Sequence, residues 1–235
     1  MKGLVRTGCL EVVLFNARFD ILPASQRLLW EEFESTPETF VLYGGTAMAL
    51  RLGHRRSEDF DFFTTDPFDA RDLLSQVAYL RKAVVRQMGE NTLVCSVERG
   101  GPVQVSFFGG LDLQRIGEPD ISTENHVRIA SLLDLAGCKV AVIQQRAAAK
   151  DYIDVAALIT NGVSLPLALA AGRAVYGDRF NPSITLRALR SFDEGDLSQL
   201  DTPTKETLLR AAAMIELDKL PTLEGRTGLY DSSPK

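Results

Sequence analysis

The stretch from Val41 to Phe63 constrains the fold more than any other part of the sequence. It reads VLYGGTAMALRLGHRRSEDFDFF, in which a short apolar run is broken by two glycines. A short helical pattern, a basic polar loop and a run of alternating acidic and aromatic residues follow. An apolar run that ends at Gly-Gly is typical of a buried strand leading into a tight turn. The stretch therefore predicts a strand–turn–helix–strand unit.

The alternating run at the end of this stretch predicts a strand with two different faces. Side chains alternate between the faces of a strand, so Asp59 and Asp61 share one face. Phe60 and Phe62 share the other face and can pack into a core. Two neighbouring carboxylates repel each other unless a cation lies between them. The acidic face is therefore a candidate metal site.

The Gly-Gly turn suggests what such a metal would serve. A glycine turn lets backbone N–H groups approach a phosphate closely, and a helix N-terminus favours negative charge. Paired carboxylates that face the turn can hold Mg²⁺ against a triphosphate. The alternative is a surface strand with two solvated aspartates after an ordinary glycine turn. The order of turn, helix, basic loop and Asp-x-Asp favours a nucleotide site.

These residues resemble the AbiEii/AbiGii-type nucleotidyltransferases, which belong to the DNA polymerase β-like nucleotidyltransferase superfamily. The resemblance rests on Gly44-Gly45-Thr46, Gly53-His54-Arg55, Ser57 and Asp59-Phe60-Asp61-Phe62-Phe63. It implies that Asp59 and Asp61 are catalytic and hold Mg²⁺, with a two-metal site as an alternative. It also implies a nucleotide-binding set of Gly44, Gly45, Thr46, Arg55 and Ser57.

Composition and cysteine usage limit the classes of protein that the chain can belong to. The 235 residues are 45% hydrophobic and 24% charged, which is ordinary for a globular protein. The formal net charge of −5 argues against a general nucleic-acid coat protein. Cys9, Cys95 and Cys138 are too far apart for a metal motif or a disulfide framework. With neither a membrane span nor a signal peptide in the sequence, we expect a cytoplasmic protein.

The element pattern changes from mixed to helical near residue 130. We expect an α/β (α+β) fold: a mixed sheet of the nucleotidyltransferase type, flanked by helices and followed by a C-terminal helical domain. The predicted domains are 1–130 for the α/β core, 131–220 for the helical domain and 221–235 for a flexible tail.

A second constellation lies in the helical part. Lys139, Arg146 and Lys150 are spaced by seven and four residues, which places them on one face if a single helix carries all three. Such a basic stripe could bind phosphates or an RNA backbone. The alternative is a solvated helix face on which Lys150 pairs with Asp154.

The later motifs of the same family resemble this segment. The matching residues are Ser131, Asp134, Lys139, Arg146, Lys150, Asp151, Tyr152 and Asp154, so that the resemblance covers about residues 40–160. It implies that Lys139 and Lys150 contact the triphosphate in the same cleft as the Asp pair. It also implies a catalytic role for Asp151, which would help to position a reacting group.

One departure from the superfamily pattern concerns the general base. The superfamily usually supplies a third carboxylate from a later strand, for which Val103–Phe107 is the candidate here. Gln104 and Ser106 share a face of that segment, and neither is acidic. Either the base is missing, or Asp151 supplies the carboxylate.

The expected function is Mg²⁺-dependent transfer of a nucleoside monophosphate from an NTP, such as ATP or GTP. The acceptor would be an RNA, such as a tRNA end, or a protein. The resemblance implies a component of a toxin–antitoxin or phage-defence pair, with a cognate antitoxin. Two alternatives stay open: a catalytically impaired nucleotide-binding or partner-binding module of the same fold, and a small-molecule (antibiotic) nucleotidyltransferase.

Overall fold

The structure, a computed structural model, describes residues 14–15 and 17–231, and these fall into two compact units. The sheet unit contains the described residues through Asp112, Glu118–Ser131 and the residues from Gly228 on. The helical unit contains Leu113–Gly117 and Leu132–Thr227. Cys9 lies outside the described residues, whereas Cys95 and Cys138 are free thiols.

A mixed sheet forms the centre of the sheet unit. Its strands are β1 (Leu14–Phe15), β2 (Val41–Tyr43), β3 (Asp59–Phe63), β4 (Val84–Gly89), β5 (Thr92–Glu98), β6 (Pro102–Phe108), β8 (Asp120–Ser122) and β9 (Arg128–Ile129). In the helical unit, β7 (Gln114–Arg115) pairs with β10 (Arg226–Thr227). The large sheet has the order β1-β8-β9-β2-β3-β6-β5-β4. Strand β3 is antiparallel to β2 and parallel to β6.

The sheet unit also contains helices, as expected for a mixed α/β fold. The α-helices of the sheet unit are α1 (Ala24–Trp30), α2 (Gly44–Leu52) and α3 (Ala70–Gln76). The 3-10 helices among the described residues of this unit are Phe19–Ile21, Glu31–Ser35 and Ala78–Leu80. The predicted strand–turn–helix–strand unit is thus confirmed as β2, α2 and β3. The predicted fold class is confirmed as well.

The aromatic face of β3 packs into the core of the sheet unit. Phe60 and Phe62 are both fully buried. The ring of Phe33 meets them edge-on, with centroid distances of 4.7 Å and 5.2 Å. Full burial of one such ring contributes about 1.5–3 kcal/mol. The alternation predicted for this strand is therefore confirmed, and it turns Asp59 and Asp61 away from the core.

Both ends of α2 are fixed to the sheet. Near its start, the Thr46 hydroxyl donates to the backbone carbonyl of Asp59 on β3. Near its end, the Arg51 guanidinium donates to the Asp120 carboxylate at 2.7 Å and to the Ala130 carbonyl at 2.9 Å. These contacts hold the first turn of α2 at a set position beside β3.

Most of the helical unit is the continuous segment Leu132–Thr227. Its helices are α4 (Leu132–Val142), α5 (Ala149–Thr160), α6 (Leu165–Tyr176), α7 (Pro182–Ala188) and α8 (Thr202–Ala213). Helix α4 crosses α6 closely at Gly137, where an added Cβ would lie 2.9 Å from the Ala171 backbone. In the part of the chain that the structure describes, no single helix is both long and apolar enough to span a membrane.

The segment predicted as a flexible tail makes several defined contacts. Arg226 and Thr227 pair with β7 in the helical unit. In the sheet unit, Leu229 is 2% exposed. There the Arg128 guanidinium also lies 4.8 Å from the ring centroid of Tyr230. These contacts do not test the predicted division into 1–130, 131–220 and 221–235, which stays a prediction.

Candidate active site

The junction between β2 and α2 brings a carboxylate against a glycine turn. Strand β2 ends at Tyr43, and α2 begins at Gly44, whose φ of +74° lies in the region that favours glycine. A Cβ added at Gly44 would lie 2.5 Å from Asp61 Oδ2. Only a glycine therefore provides both the backbone conformation and the space that the Asp61 carboxylate occupies.

The basic loop after α2 returns to the same turn. A Cβ added at Gly45 would lie 2.5 Å from Arg55 Nη2 and 3.1 Å from Ser57 Oγ. The first four N–H groups of a helix have no partner within the helix, and they carry the positive end of its dipole. Arg55 and Ser57 thus add a cation and a hydroxyl to a helix start that already favours an anion.

The two aspartates of β3 stand beside this helix start. Asp59 and Asp61 are each partly exposed, in contrast to the buried Phe60 and Phe62 between and after them. Thr46 is fully buried, and its hydroxyl donates to the Asp59 carbonyl. This hydrogen bond lets the Thr46 side chain position β3. The backbone N–H of Thr46 is one of the N–H groups at the start of α2.

The carboxylates of Asp59 and Asp61 suit a hard divalent cation that a bound substrate also helps to hold. Among the described residues, no group of three or more His, Cys, Asp or Glu side chains is arranged to hold a metal ion. Mg²⁺ is usually bound through one or two carboxylates together with waters and substrate phosphates. Asp59 and Asp61 can supply those carboxylates, and the space beside Gly44 leaves Asp61 Oδ2 close to the helix start.

Strand β6 continues the acidic face of β3 without adding an acid. In the parallel register, Asp59 is paired with Gln104 and Asp61 with Ser106. These pairs place Gln104 and Ser106 beside the Asp pair, on the strand that the family resemblance made the candidate for a third carboxylate. Within Pro102–Phe108 no residue is acidic.

The basic residues of the second constellation do not lie on one helix. Lys139 is in α4, Arg146 follows the end of α4 at Val142, and Lys150 is in α5. Residues 143–148 separate the two helices, so the condition for a single basic stripe is not met. Lys139 is 6% exposed, whereas Lys150 is exposed. The triphosphate contacts predicted for the two lysines stay predictions.

Lys139 lies in a group of charges that we call the ion cluster, in which only Arg146 is exposed. Its Nζ is 2.9 Å from Asp151 Oδ1 and 2.7 Å from Asp154 Oδ2. Arg146 Nε donates to Asp151 Oδ2 at 2.7 Å. Both aspartates are 0% exposed. Asp154 thus binds Lys139 on the neighbouring helix, whereas the solvated-face alternative had paired it with Lys150.

The ion cluster keeps Asp151 ionised. Burial alone would raise the pKa of this carboxyl, but the hydrogen bond from Arg146 and the charge of Lys139 outweigh it and lower the pKa. Both carboxylate oxygens accept from cationic donors. A carboxylate held in this way is a weak base, and its contacts favour a structural role. The catalytic role predicted for Asp151 stays a prediction.

One residue that supports these sites was not singled out from the sequence, and a second was named there with a different partner. Arg51 anchors α2 through the Asp120 carboxylate, which lies 69 positions later in the chain. Asp154 completes the ion cluster. The sequence pointed to Asp154 through the family motif and through a possible pair with Lys150, whereas it gave no signal for Arg51.

We expect Gly44→Ala to destabilise the protein more than Gly45→Ala does. A left-handed backbone costs a non-glycine residue about 1–2 kcal/mol, and the new Cβ would displace the Asp61 carboxylate. At Gly45 the added Cβ meets mainly the guanidinium end of the long Arg55 side chain. Denaturant unfolding of both variants tests this prediction. A stability loss at Gly45 that equals the loss at Gly44 would contradict it.

Comparisons with known proteins find a family model and a curated relative that match this chain. The family model described as "Nucleotidyl transferase AbiEii toxin, Type IV TA system" matches residues 27–224. An uncharacterized protein of Aquifex aeolicus is 33% identical over 117 residues, which are 49% of this chain and 55% of that protein. The match to this curated relative thus spans about half of its length.

Two solved structures share the fold at low sequence identity. A protein of H. pylori, provisionally assigned as a nucleotidyltransferase, has a TM-score of 0.53 at 18% identity and covers 81% of this chain and 91% of its own. The nucleotidyltransferase toxin MenT4 of Mycobacterium tuberculosis has a TM-score of 0.54 at 14% identity and covers 81% of this chain and 84% of its own. At these identities the similarity concerns the fold.

Proposed function

The chain belongs to the AbiEii nucleotidyltransferase toxin family, and from this premise we propose that it transfers a nucleoside monophosphate from an NTP to a hydroxyl of an RNA or protein acceptor. One observation carries the proposal: the Asp61 carboxylate lies against Gly44, at the N-terminus of α2. A helix start attracts phosphate, whereas a carboxylate at the same point repels it. The two are compatible in one site when a cation accompanies the phosphate.

The helix start and the basic loop bind the triphosphate in this proposal. Backbone N–H groups at Gly45 and Thr46 donate to phosphate oxygens, which needs no side chain at Gly45. The Arg55 guanidinium and the Ser57 hydroxyl, both close to Gly45, add a charged and a neutral donor. The buried hydroxyl of Thr46 keeps β3 beside the helix, so that phosphates and carboxylates stay in one place.

Asp59 and Asp61 are the residues that would hold Mg²⁺. The ion, when bound, would offset the negative charge of the triphosphate and of the leaving pyrophosphate. The contribution of the protein is to keep two carboxylates on one strand face, partly exposed, next to the phosphate-binding turn. Their mutual repulsion before the ion binds favours uptake of the cation.

The partners are inferred from chemistry and from the family. An RNA end or a protein side chain supplies the acceptor hydroxyl. The family description names a toxin–antitoxin system, which supports a cognate antitoxin and a cytoplasmic site of action. A catalytically impaired binding module is the second candidate, because β6 offers Gln104 and Ser106 where an acid was expected.

Release of pyrophosphate tests the proposal. The native chain is incubated with Mg²⁺ and each of the four NTPs, with and without total cellular RNA or a protein extract. We expect pyrophosphate to appear only with one class of acceptor, together with transfer of label from an α-labelled NTP to that acceptor. Binding of NTP without release would support the impaired module. Release that requires an aminoglycoside would support the small-molecule enzyme.

A further inference from the structure

A row of polar side chains extends from Asp59 across the open part of the sheet. Asp59 on β3 is paired with Gln104 on β6, and Gln104 is paired in turn with Ser96 on β5. Directly paired residues point to the same face of a sheet, and neighbouring strands lie about 4.8 Å apart. The amide of Gln104 is therefore within reach of a molecule bound at the Asp59 carboxylate.

Exposure separates Gln104 from the other polar residue of β6. Gln104 is exposed, whereas Ser106 is 2% exposed. The opposite face of β6 is closed, because Val105 and Phe107 are both fully buried. Of the two residues that take the place of a third carboxylate, Gln104 is thus the one that a second substrate can contact.

We propose that Gln104 binds and orients the acceptor hydroxyl, an inference that rests on the proposed function. A glutamine amide offers a donor on Nε2 and an acceptor on Oε1, which matches a hydroxyl that both accepts and donates. The amide carries no charge, so it adds no repulsion toward phosphates beside the two aspartates. It also keeps the hydroxyl close to the bound nucleotide.

The transfer balances without a base at this position. The acceptor oxygen forms a bond to the α-phosphorus while the bond from that phosphorus to the bridging oxygen breaks. Pyrophosphate leaves with the electron pair, and the hydroxyl proton passes to water, since an amide does not take it up. Gln104 therefore contributes position, and the Gln104→Leu variant should lose affinity and alignment for the acceptor.

The chain offers a matched control for this substitution. Gln87 on the edge strand β4 is exposed and is paired with Val94, which is paired with Ser106 in the Asp61 row. It therefore lies three strand spacings from Asp61, which is roughly 14 Å. Gln87→Leu makes the same chemical change on the same sheet, away from the two carboxylates.

The experiment measures transfer of α-labelled NTP to total RNA or protein extract, whichever accepts label, as a function of acceptor concentration. Loss of one neutral hydrogen bond should lower kcat/KM for the acceptor about 3–10-fold in Gln104→Leu. The affinity for Mg·NTP, measured by calorimetry, should match the native value, and Gln87→Leu should match the native chain in both measurements.

Three results would overturn this inference. If Gln104→Leu transferred label with the native kcat/KM, the role of Gln104 would be refuted and the proposed function would stand. An equal loss of Mg·NTP affinity and of transfer in Gln104→Leu would assign the residue to the nucleotide instead. The absence of label transfer by the native chain would overturn the proposed function together with this inference.

Discussion

Asp59→Asn and Asp61→Asn should each lower transfer at least about a thousand-fold, since the metal contributes several kcal/mol of transition-state stabilisation. An amide keeps the shape of the carboxylate but removes the charge that attracts Mg²⁺. The two residues are partly exposed on β3 and lie outside the aromatic core. We therefore expect both variants to fold, as circular dichroism and unfolding curves would show.

A neighbouring carboxylate provides the control for this prediction. Glu58 is exposed and precedes Asp59 directly, so that Glu58→Gln makes the same charge change just outside the strand. Its transfer rate should stay near the native rate. If Asp59→Asn, Asp61→Asn and Glu58→Gln all retained comparable rates, the charge of the Asp pair would have no part in the reaction.

Lys139→Met should destabilise the protein by about 3–5 kcal/mol, the usual cost of leaving buried charges without their partner. The variant removes the ammonium that lies 2.9 Å from Asp151 and 2.7 Å from Asp154, both of which are 0% exposed. Urea unfolding at neutral pH measures the change. The control is Lys150→Met, at an exposed position of α5, which should change stability by no more than about 0.5 kcal/mol.

The pH dependence of this loss follows from the lowered pKa of Asp151. A carboxyl with a lowered pKa in the folded protein stabilises it above the unfolded pKa, which is about 3.9 for Asp. That stabilisation disappears as the pH falls through the folded pKa. The difference between native and Lys139→Met should therefore be largest near neutral pH and shrink in acid. A difference that stayed constant down to pH 3 would contradict this reading of the ion cluster.

The secondary structure around the Asp pair was predicted correctly because it depends on local sequence signals. Asp59 to Phe63 alternates with period two, and this alone separates the acidic face from the aromatic face. The two glycines after Val41-Leu42-Tyr43 mark the end of a strand, because a residue without a Cβ favours a tight turn over a strand interior. Each of these signals lies within a few residues of the feature it predicts, so the sequence carries it directly.

The remaining features depend on contacts that sequence spacing does not encode. Lys139 and Lys150 could share a face only on an unbroken helix, whereas they lie on the separate helices α4 and α5. The register that sets Gln104 beside Asp59 depends on which strands become neighbours. The anchoring of Arg51 to Asp120 joins positions 69 residues apart. Packing of whole elements decides all three.

Calorimetry of Mg·NTP binding tests the central claim most directly. Native protein and the Asp59→Asn, Asp61→Asn double variant are titrated with a non-hydrolysable NTP, once with Mg²⁺ and once with a chelator. If the carboxylates beside the start of α2 hold a metal-bound triphosphate, Mg²⁺ should strengthen binding to the native chain and should give no such gain in the double variant. An equal gain from Mg²⁺ in both proteins would contradict the account.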